Sequence, residues 1–450
     1  MNYRSLRAIW KYLREIKSLL RLALPILAGM VSQTLMGIAD TVMVGRVGVT
    51  PLAASSLVIN LFHLPMVFGF GMLSAVSILA ANAYGAKDDV GTGRVFRASS
   101  MLTLWTGVPL VLLFMSLRWV LPFLGQPADV VEASGSYLWY VAPSLLPMLV
   151  ALTGKQYCES LNHPWIPTLL MLGSVLLNVL LNWLLIYGNW GCPPMGLDGA
   201  GLATLLARVV SAVLIIGWIL WARELRRFRQ GVWGDPEDRV VLKKLFHLGL
   251  PVAFQLLLEM GAFAFAALML GWIGANALAA HQIAFTCAST TFMFSLSFGL
   301  AASVRVGQAL GAGLKRRVRR IGSIGFVMST MVMMIFACVF VIGGEFLASQ
   351  FVGSDEVRKL AVRLLMVAAV FQVFDGLQVT AISLLRGMQD VRAPAIVAIV
   401  AYWLVTVPLG YVLAFPMEMQ AVGIWIGLAA GLGVAAVCLT SRFYLKTMAR

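Results

Sequence analysis

Three acidic residues stand where acids are costly. Asp40, Glu259 and Asp375 each lie inside an apolar run: GIADTVMV, LLLEMGAF and QVFDGLQV. The other sixteen of the nineteen Asp and Glu fall in polar segments or near the ends of apolar ones. A carboxylate placed in hydrocarbon costs on the order of several kcal/mol unless it is paired, protonated or faces water. The chemistry open to such a group is to bind a proton, a small cation or a cationic organic molecule. The structural alternative is a protonated or hydrogen-bonded carboxyl that holds helices together.

Asp40 has candidate partners. Asn178 and Asn182 are four residues apart and share one face of a helix. Thr204 follows Gly199-Ala200-Gly201. A carboxylate, two amide oxygens and a hydroxyl are hard ligands suited to an alkali cation. The same groups also pack helices together by hydrogen bonding, and the residue types alone leave both roles open. Other chemistries lack their residues. The five cysteines show no CxxC, and the four histidines form no HExxH, so neither a disulfide framework nor a zinc site is expected. His281, near the start of a helix, reads as structural. The only Gly-Lys pair, Gly154-Lys155, is followed by Gln156, which excludes a phosphate-binding loop. No GxSxG occurs, and an enzyme is not expected.

The elements that position these residues follow from composition. Of 450 residues, 60% are hydrophobic and 12% charged, against roughly 25% charged in soluble proteins. That excludes a conventional soluble enzyme and points to a polytopic membrane protein. Twelve apolar runs are long enough to span a bilayer, which takes roughly 20 residues each. They lie at 22–45, 52–82, 94–117, 133–153, 165–188, 199–221, 246–271, 278–304, 321–343, 358–385, 393–414 and 421–441. Runs of that length exclude the short alternating strands of a membrane barrel, so the fold class is all-α.

The net charge of +15 follows topology. The N-terminus, the loops after even-numbered spans and the C-terminus hold 28 of the 34 Lys and Arg; the opposite side holds five, and Arg208 lies within a span. The positive-inside rule places both termini in the cytoplasm, and a nucleic-acid partner is not expected. Residues 1–21 show no cleavable signal. Their Leu6, Trp10, Leu13 and Leu20 recur at helical spacing among basic residues, which predicts an interfacial cytoplasmic helix.

The chain repeats itself. At an offset of 226, residues 24–86 match 250–312 at 14 of 63 positions, including Pro25/Pro251, Gly45/Gly271 and Gly48/Gly274. Span 1 therefore matches span 7. Spans an even number apart start on the same face, which predicts two parallel six-helix lobes related by a pseudo-two-fold axis along the membrane normal. The expected organisation is an N-terminal interfacial helix (1–21), an N-lobe (22–221), a cytoplasmic linker (222–245) and a C-lobe with a short tail (246–450).

These residues together resemble a known family. LALP ending at Pro25, LGLP ending at Pro251, IADTVMVGRVG (38–48), ALAAHQIA (277–284), YCESLN (157–162) and MGLDGAGLAT (195–204) are similar, in order and spacing, to multidrug and toxic compound extrusion (MATE) transporters. Acids in the first, seventh and tenth spans resemble the bacterial NorM-type branch. The resemblance implies an inner-membrane antiporter, multi-pass and expected to act as a monomer. It would admit Na+ or H+ and expel small cationic or zwitterionic amphipathic drugs and dyes by alternating access. It carries no cofactor beyond the coupling ion. By position, Asp40, Asn178, Asn182 and Thr204 become the N-lobe cation site, and Glu259 and Asp375 the C-lobe cation or substrate carboxylates, with Na+ possible at either. Some relatives have Asp where this chain has Asn182, so this site carries less negative charge. A lipid-linked saccharide flippase of the same broad superfamily is the alternative. Its anionic cargo calls for several basic residues inside the spans, where only Arg208 is expected.

Overall fold

The computed structural model describes residues 3–448. Residues 1, 2, 449 and 450, at the ends of the expected N-terminal segment and tail, lie outside the described residues, as does the side chain of Leu6. The described chain is all-helical, with twelve helical spans long and apolar enough to cross a membrane. They are α1 (Tyr3–Gly45), α2 (Val49–Gly85), α3 (Asp89–Ser116), α4 (Ala128–Ser160), α5 (Trp165–Tyr187), α6 (Gly196–Trp221), α7 (Pro236–Ile273), α8 (Ala275–Gly311), α9 (Lys315–Ser349) and α10 (Asp355–Gly387). The eleventh span comes in three parts, α11 (Arg392–Ile399), a π-helical stretch (Val400–Thr406) and α12 (Val407–Ala414); α13 (Gln420–Met448) is the twelfth.

Many of these helices outrun the apolar segments that announced them. Backbone hydrogen bonding continues wherever no residue breaks it, while hydropathy marks only the stretch that suits hydrocarbon. The expected boundary between an interfacial helix and the first span, at residue 21, does not exist as a break: α1 continues through it and through Pro25.

The repeat is accurate in the backbone. Helices α2 and α8 both have 37 residues and start 226 residues apart, and α3 and α9 start at the same offset. The turns before α2 and α8 are set by Gly48 (φ 156°) and Gly274 (φ 144°), a conformation that side chains exclude. In each repeat the fourth helix is central. Helix α4 packs on α2, α3 and α6, while α10 packs on α8, α9 and α13.

Two compact units emerge, and their limits differ from the expected lobes. One is Ala28–Ala253; the other joins Met1–Leu27 to Phe254–Arg450. The breakpoints, after Leu27 and after Ala253, are again 226 residues apart. The first unit has a core around Leu73, Val76, Leu145, Leu149 and Ile215. The expected cytoplasmic linker, 222–245, belongs to it whole. A short 3-10 helix (Arg223–Arg229) buries Leu225 and Phe228, and Arg97 of α3 is bonded to Asp238 through Nε (2.9 Å) and to the Gln230 carbonyl (2.8 Å). The second unit has its core around Leu364, Leu365, Ala368, Trp425 and Leu428. The start of α1 joins it through Glu15, which accepts hydrogen bonds from Arg305 (3.1 Å) and Arg317 (2.7 Å). Asp390, between α10 and α11, accepts from Arg442 (2.8 Å) and Lys446 (2.7 Å) of α13. Burial acts to raise the Asp390 carboxyl, but these two cations outweigh it and hold it below its ordinary value.

Candidate functional site

In the Ala28–Ala253 unit, the four N-lobe candidates converge. Asp40 from α1 is 9% exposed, Asn178 and Asn182 from α5 are fully buried, and Thr204 from α6 is buried. Asn182 Nδ2 donates to Asp40 Oδ1 (2.5 Å) and to Asn178 Oδ1 (3.2 Å). Thr204 Oγ1 lies 3.5 Å from Asp40 Oδ2, and Asn178 Nδ2 lies 3.4 Å from Thr204 Oγ1. Gly199 makes this convergence possible, because a Cβ there would sit 2.5 Å from the Leu185 carbonyl oxygen. Its absence lets α6 press against α5 and brings Thr204 to the amides. Among the described residues, the buried Oδ1 of Asn182 has no hydrogen-bond partner. Buried polar atoms rarely go unpaired, and one beside a carboxylate suits a site that takes a further guest.

Arg208 belongs to this neighbourhood. It donates to Ser144 Oγ (2.7 Å), its guanidinium lies 4.8 Å from the centroid of the Phe62 ring, and its charge reaches Asp40. Among the described residues, the carboxylate therefore has a positive neighbour but no direct ion pair.

In the other unit, Glu259 of α7 accepts a hydrogen bond from the Tyr402 hydroxyl (2.8 Å), which in turn accepts from Gln378 Nε2 of α10 (3.2 Å). Asp375 is buried on α10, three residues before Gln378, whose amide reaches the same Tyr402 hydroxyl that bonds Glu259. Tyr402 lies in the π-helical stretch just before Pro408. A proline cannot donate to the preceding turn, so the helix widens there. Trp403 of the same stretch donates to the Leu258 carbonyl (3.1 Å) and ties it to α7. Arg386 is buried at the end of α10 and donates to Gln255 Oε1 (3.2 Å), one turn before Glu259.

The structure thus groups Asp40 with Asn178, Asn182 and Thr204, and Glu259 with Asp375. Sequence reasoning missed Arg208 as a neighbour of Asp40, and missed Tyr402, Gln378, Gln255 and Arg386. Helical spacing marks two of these, since Gln255 precedes Glu259 by four residues and Gln378 follows Asp375 by three. Nothing local marks Tyr402, which arrives from another span. Arg386 and Lys155 are also buried, not set in loops. Lys155 pairs with Glu159 (3.7 Å), so both cations, like Arg208, are engaged by the protein itself. Among the described residues, no three His, Cys, Asp or Glu cluster as a metal site.

Comparison with known proteins identifies the family. The MatE family profile matches residues 25–184 and 251–412. The chain belongs to the MATE family. The two matched MATE segments begin 226 residues apart, the offset of the internal repeat. A probable multidrug resistance protein NorM of Mesorhizobium japonicum is 35% identical over 97% of this chain and 94% of its own length. Two solved structures share the MATE fold. An outward-facing multidrug resistance MATE family transporter superposes with a TM-score of 0.88 at 21% identity, covering 97% of this chain and 96% of its own. The eukaryotic MATE transporter AtDTX14 gives 0.86 at 23% identity, over 96% of each chain. Membership of this transporter family leaves no enzyme to be sought.

Proposed function

We propose that this MATE protein is a multidrug efflux antiporter that exchanges inward Na+ or H+ for outgoing cationic amphipathic drugs. The Asp40 network carries the reading: one carboxylate, two amides and a hydroxyl converge from three helices, with the Asn182 oxygen buried and unpartnered among the described residues. A half-turn of the Asn182 amide replaces its nitrogen with that oxygen on the Asp40 side. The nitrogen serves the bare carboxylate as donor. The oxygen serves a bound alkali cation as ligand, or a protonated carboxyl as acceptor.

The coupling follows from competition for negative charge. A small cation that neutralises Asp40, Glu259 or Asp375 removes their attraction for an organic cation, which departs outward. Release of the small cation to the cytoplasm restores it. Two conformational states with different affinities are required, and each ligand biases the equilibrium by its differential affinity. The membrane potential assists cation entry by about 2.3 kcal/mol per charge per 100 mV. Both termini are placed in the cytoplasm by the basic-residue bias, and the functional unit is the monomer.

The test is ethidium efflux from proteoliposomes under separate Na+ and pH gradients. One gradient should drive efflux, and Asp40→Asn should cut the driven rate by about tenfold or more, the equivalent of about 1.4 kcal/mol. A wild-type protein that responds to neither gradient sinks the antiport reading.

A further inference from the structure

We propose that the junction of α8 and α9 binds an anionic phospholipid, with its phosphate headgroup in a basic cavity and an acyl chain along α9. The cavity, about 1100 Å³, lies within the unit formed by Met1–Leu27 and Phe254–Arg450. It is lined by Lys11 and Arg14 of α1, Arg305 of α8, and Lys315, Arg316, Arg317 and Arg320 of α9. Among the described residues, Glu15 is the one acid in the lining, and it is held by Arg305 and Arg317. Seven described cations therefore share one concavity with a single described carboxylate. Such crowding is self-repulsive until an anion enters it.

The internal repeat provides the comparison. The turns before α3 and α9 correspond, with Lys87 (φ 60°) and Gly313 (φ 71°) at matching positions. At α3, Asp88 caps the helix by accepting from the Gly91 amide (2.8 Å), and Asp89 follows in the first turn. At α9, Leu314 offers no capping side chain, and the first turn holds no acid. One backbone turn thus carries opposite electrostatics in the two repeats. The amides at the start of α9 add to the attraction of the basic side chains for an anion, and Lys and Arg are the residues that bind phosphate.

A lipid fits better than a free phosphate because the basic side chains continue into an apolar stripe. Arg316, Arg320, Val327, Met331, Met334 and Cys338 are spaced by four, seven, four, three and four residues, so they share one face of α9. Val327, Met331, Met334 and Cys338 line a groove of about 540 Å³, and Val327 and Met331 are 65% and 64% exposed. From Val327 to Cys338 the helix rises about 16 Å, roughly the hydrocarbon depth of one leaflet. At the basic end, Tyr12 lies under Arg320 (5.6 Å), and Trp10 is exposed nearby in sequence, aromatic types that favour headgroup level. The charge excess suits a headgroup with two phosphates.

Native mass spectrometry of the purified full-length protein in detergent tests this, with tetraoleoyl cardiolipin and dioleoyl phosphatidylcholine titrated separately. Cardiolipin should bind at least tenfold more tightly. The variant K11Q/R316Q/R320Q, which leaves both arginines on Glu15, should lose that preference. R239Q/K243Q/K244Q, an equal charge loss at exposed sites on α7, should keep it. Met331→Gln should weaken cardiolipin without touching the cavity, and inorganic pyrophosphate should not compete at matched concentration. Equal loss in both triple variants, no preference over phosphatidylcholine, an unaffected Met331→Gln, or competition by pyrophosphate would each overturn the lipid site. A melting temperature for each variant separates lost binding from lost folding.

Discussion

Asp40 concentrates the electrostatic problem of the chain. Its carboxylate is buried, receives a 2.5 Å bond from Asn182 and feels the charge of Arg208. A hydrogen bond to a charged group contributes about 1.5–3 kcal/mol. Asn182→Ala should therefore weaken cation binding by about tenfold or more, whereas Thr204→Ala, with its 3.5 Å contact, should cost less. Isothermal titration of Na+, or of protons at fixed ionic strength, checks the order. Tyr402→Phe removes the only hydroxyl bonded to Glu259 among the described residues. It should lower driven efflux several-fold while leaving the Asp40 cation affinity intact, and a matched fall in both would show that the two groups do not act separately.

At the scale of elements, close helix contact places these side chains. Gly199 stands where a Cβ would strike the Leu185 carbonyl, while a Cβ at Gly37 of α1 meets nothing within 4 Å. Gly199→Ala should force α6 off α5 and cost about 1–3 kcal/mol, as overpacking does. Gly37→Ala should be neutral or mildly stabilising, because alanine is the better helix former. Melting temperatures of the two purified variants decide it; equal values would remove the packing account of Thr204. The π-helical stretch plays the corresponding part for Tyr402, with Pro408 as the local cause.

At the scale of the molecule, the distribution of basic residues sets the expected orientation. Cys192, between α5 and α6, should react with an impermeant thiol reagent added outside intact cells. Gln230→Cys, between α6 and α7, should react only after permeabilisation. The reverse pattern would invert the topology and with it the direction of transport. The repeat also reaches this scale. Both compact units break at corresponding points, so that the first turns of α1 pack in one unit and the remainder in the other, and α7 does likewise.

Much of the fold was legible because its cause is local. A span needs a run of apolar residues, and that run is written in order along the chain; an offset of 226 needs only two similar stretches. The three intramembrane acids were visible for the same reason, as polar letters in apolar words. Helical spacing joined Asn178 to Asn182. Other features depend on which helices touch. The approach of Arg208 to Asp40, the bond from Tyr402 to Glu259, and the burial of Lys155 and Arg386 are contacts between residues distant in sequence. The linker shows the same limit. Its charged composition marked a cytoplasmic linker but not its contacts: Asp238 is fully buried because Arg97, 141 residues earlier, meets it. The sequence by itself determined that this chain lives in a membrane and where its charges are costly, because both follow from apolar runs read in order. Only the tertiary structure decided which groups share that cost, because a charge is stabilised by its neighbours in space.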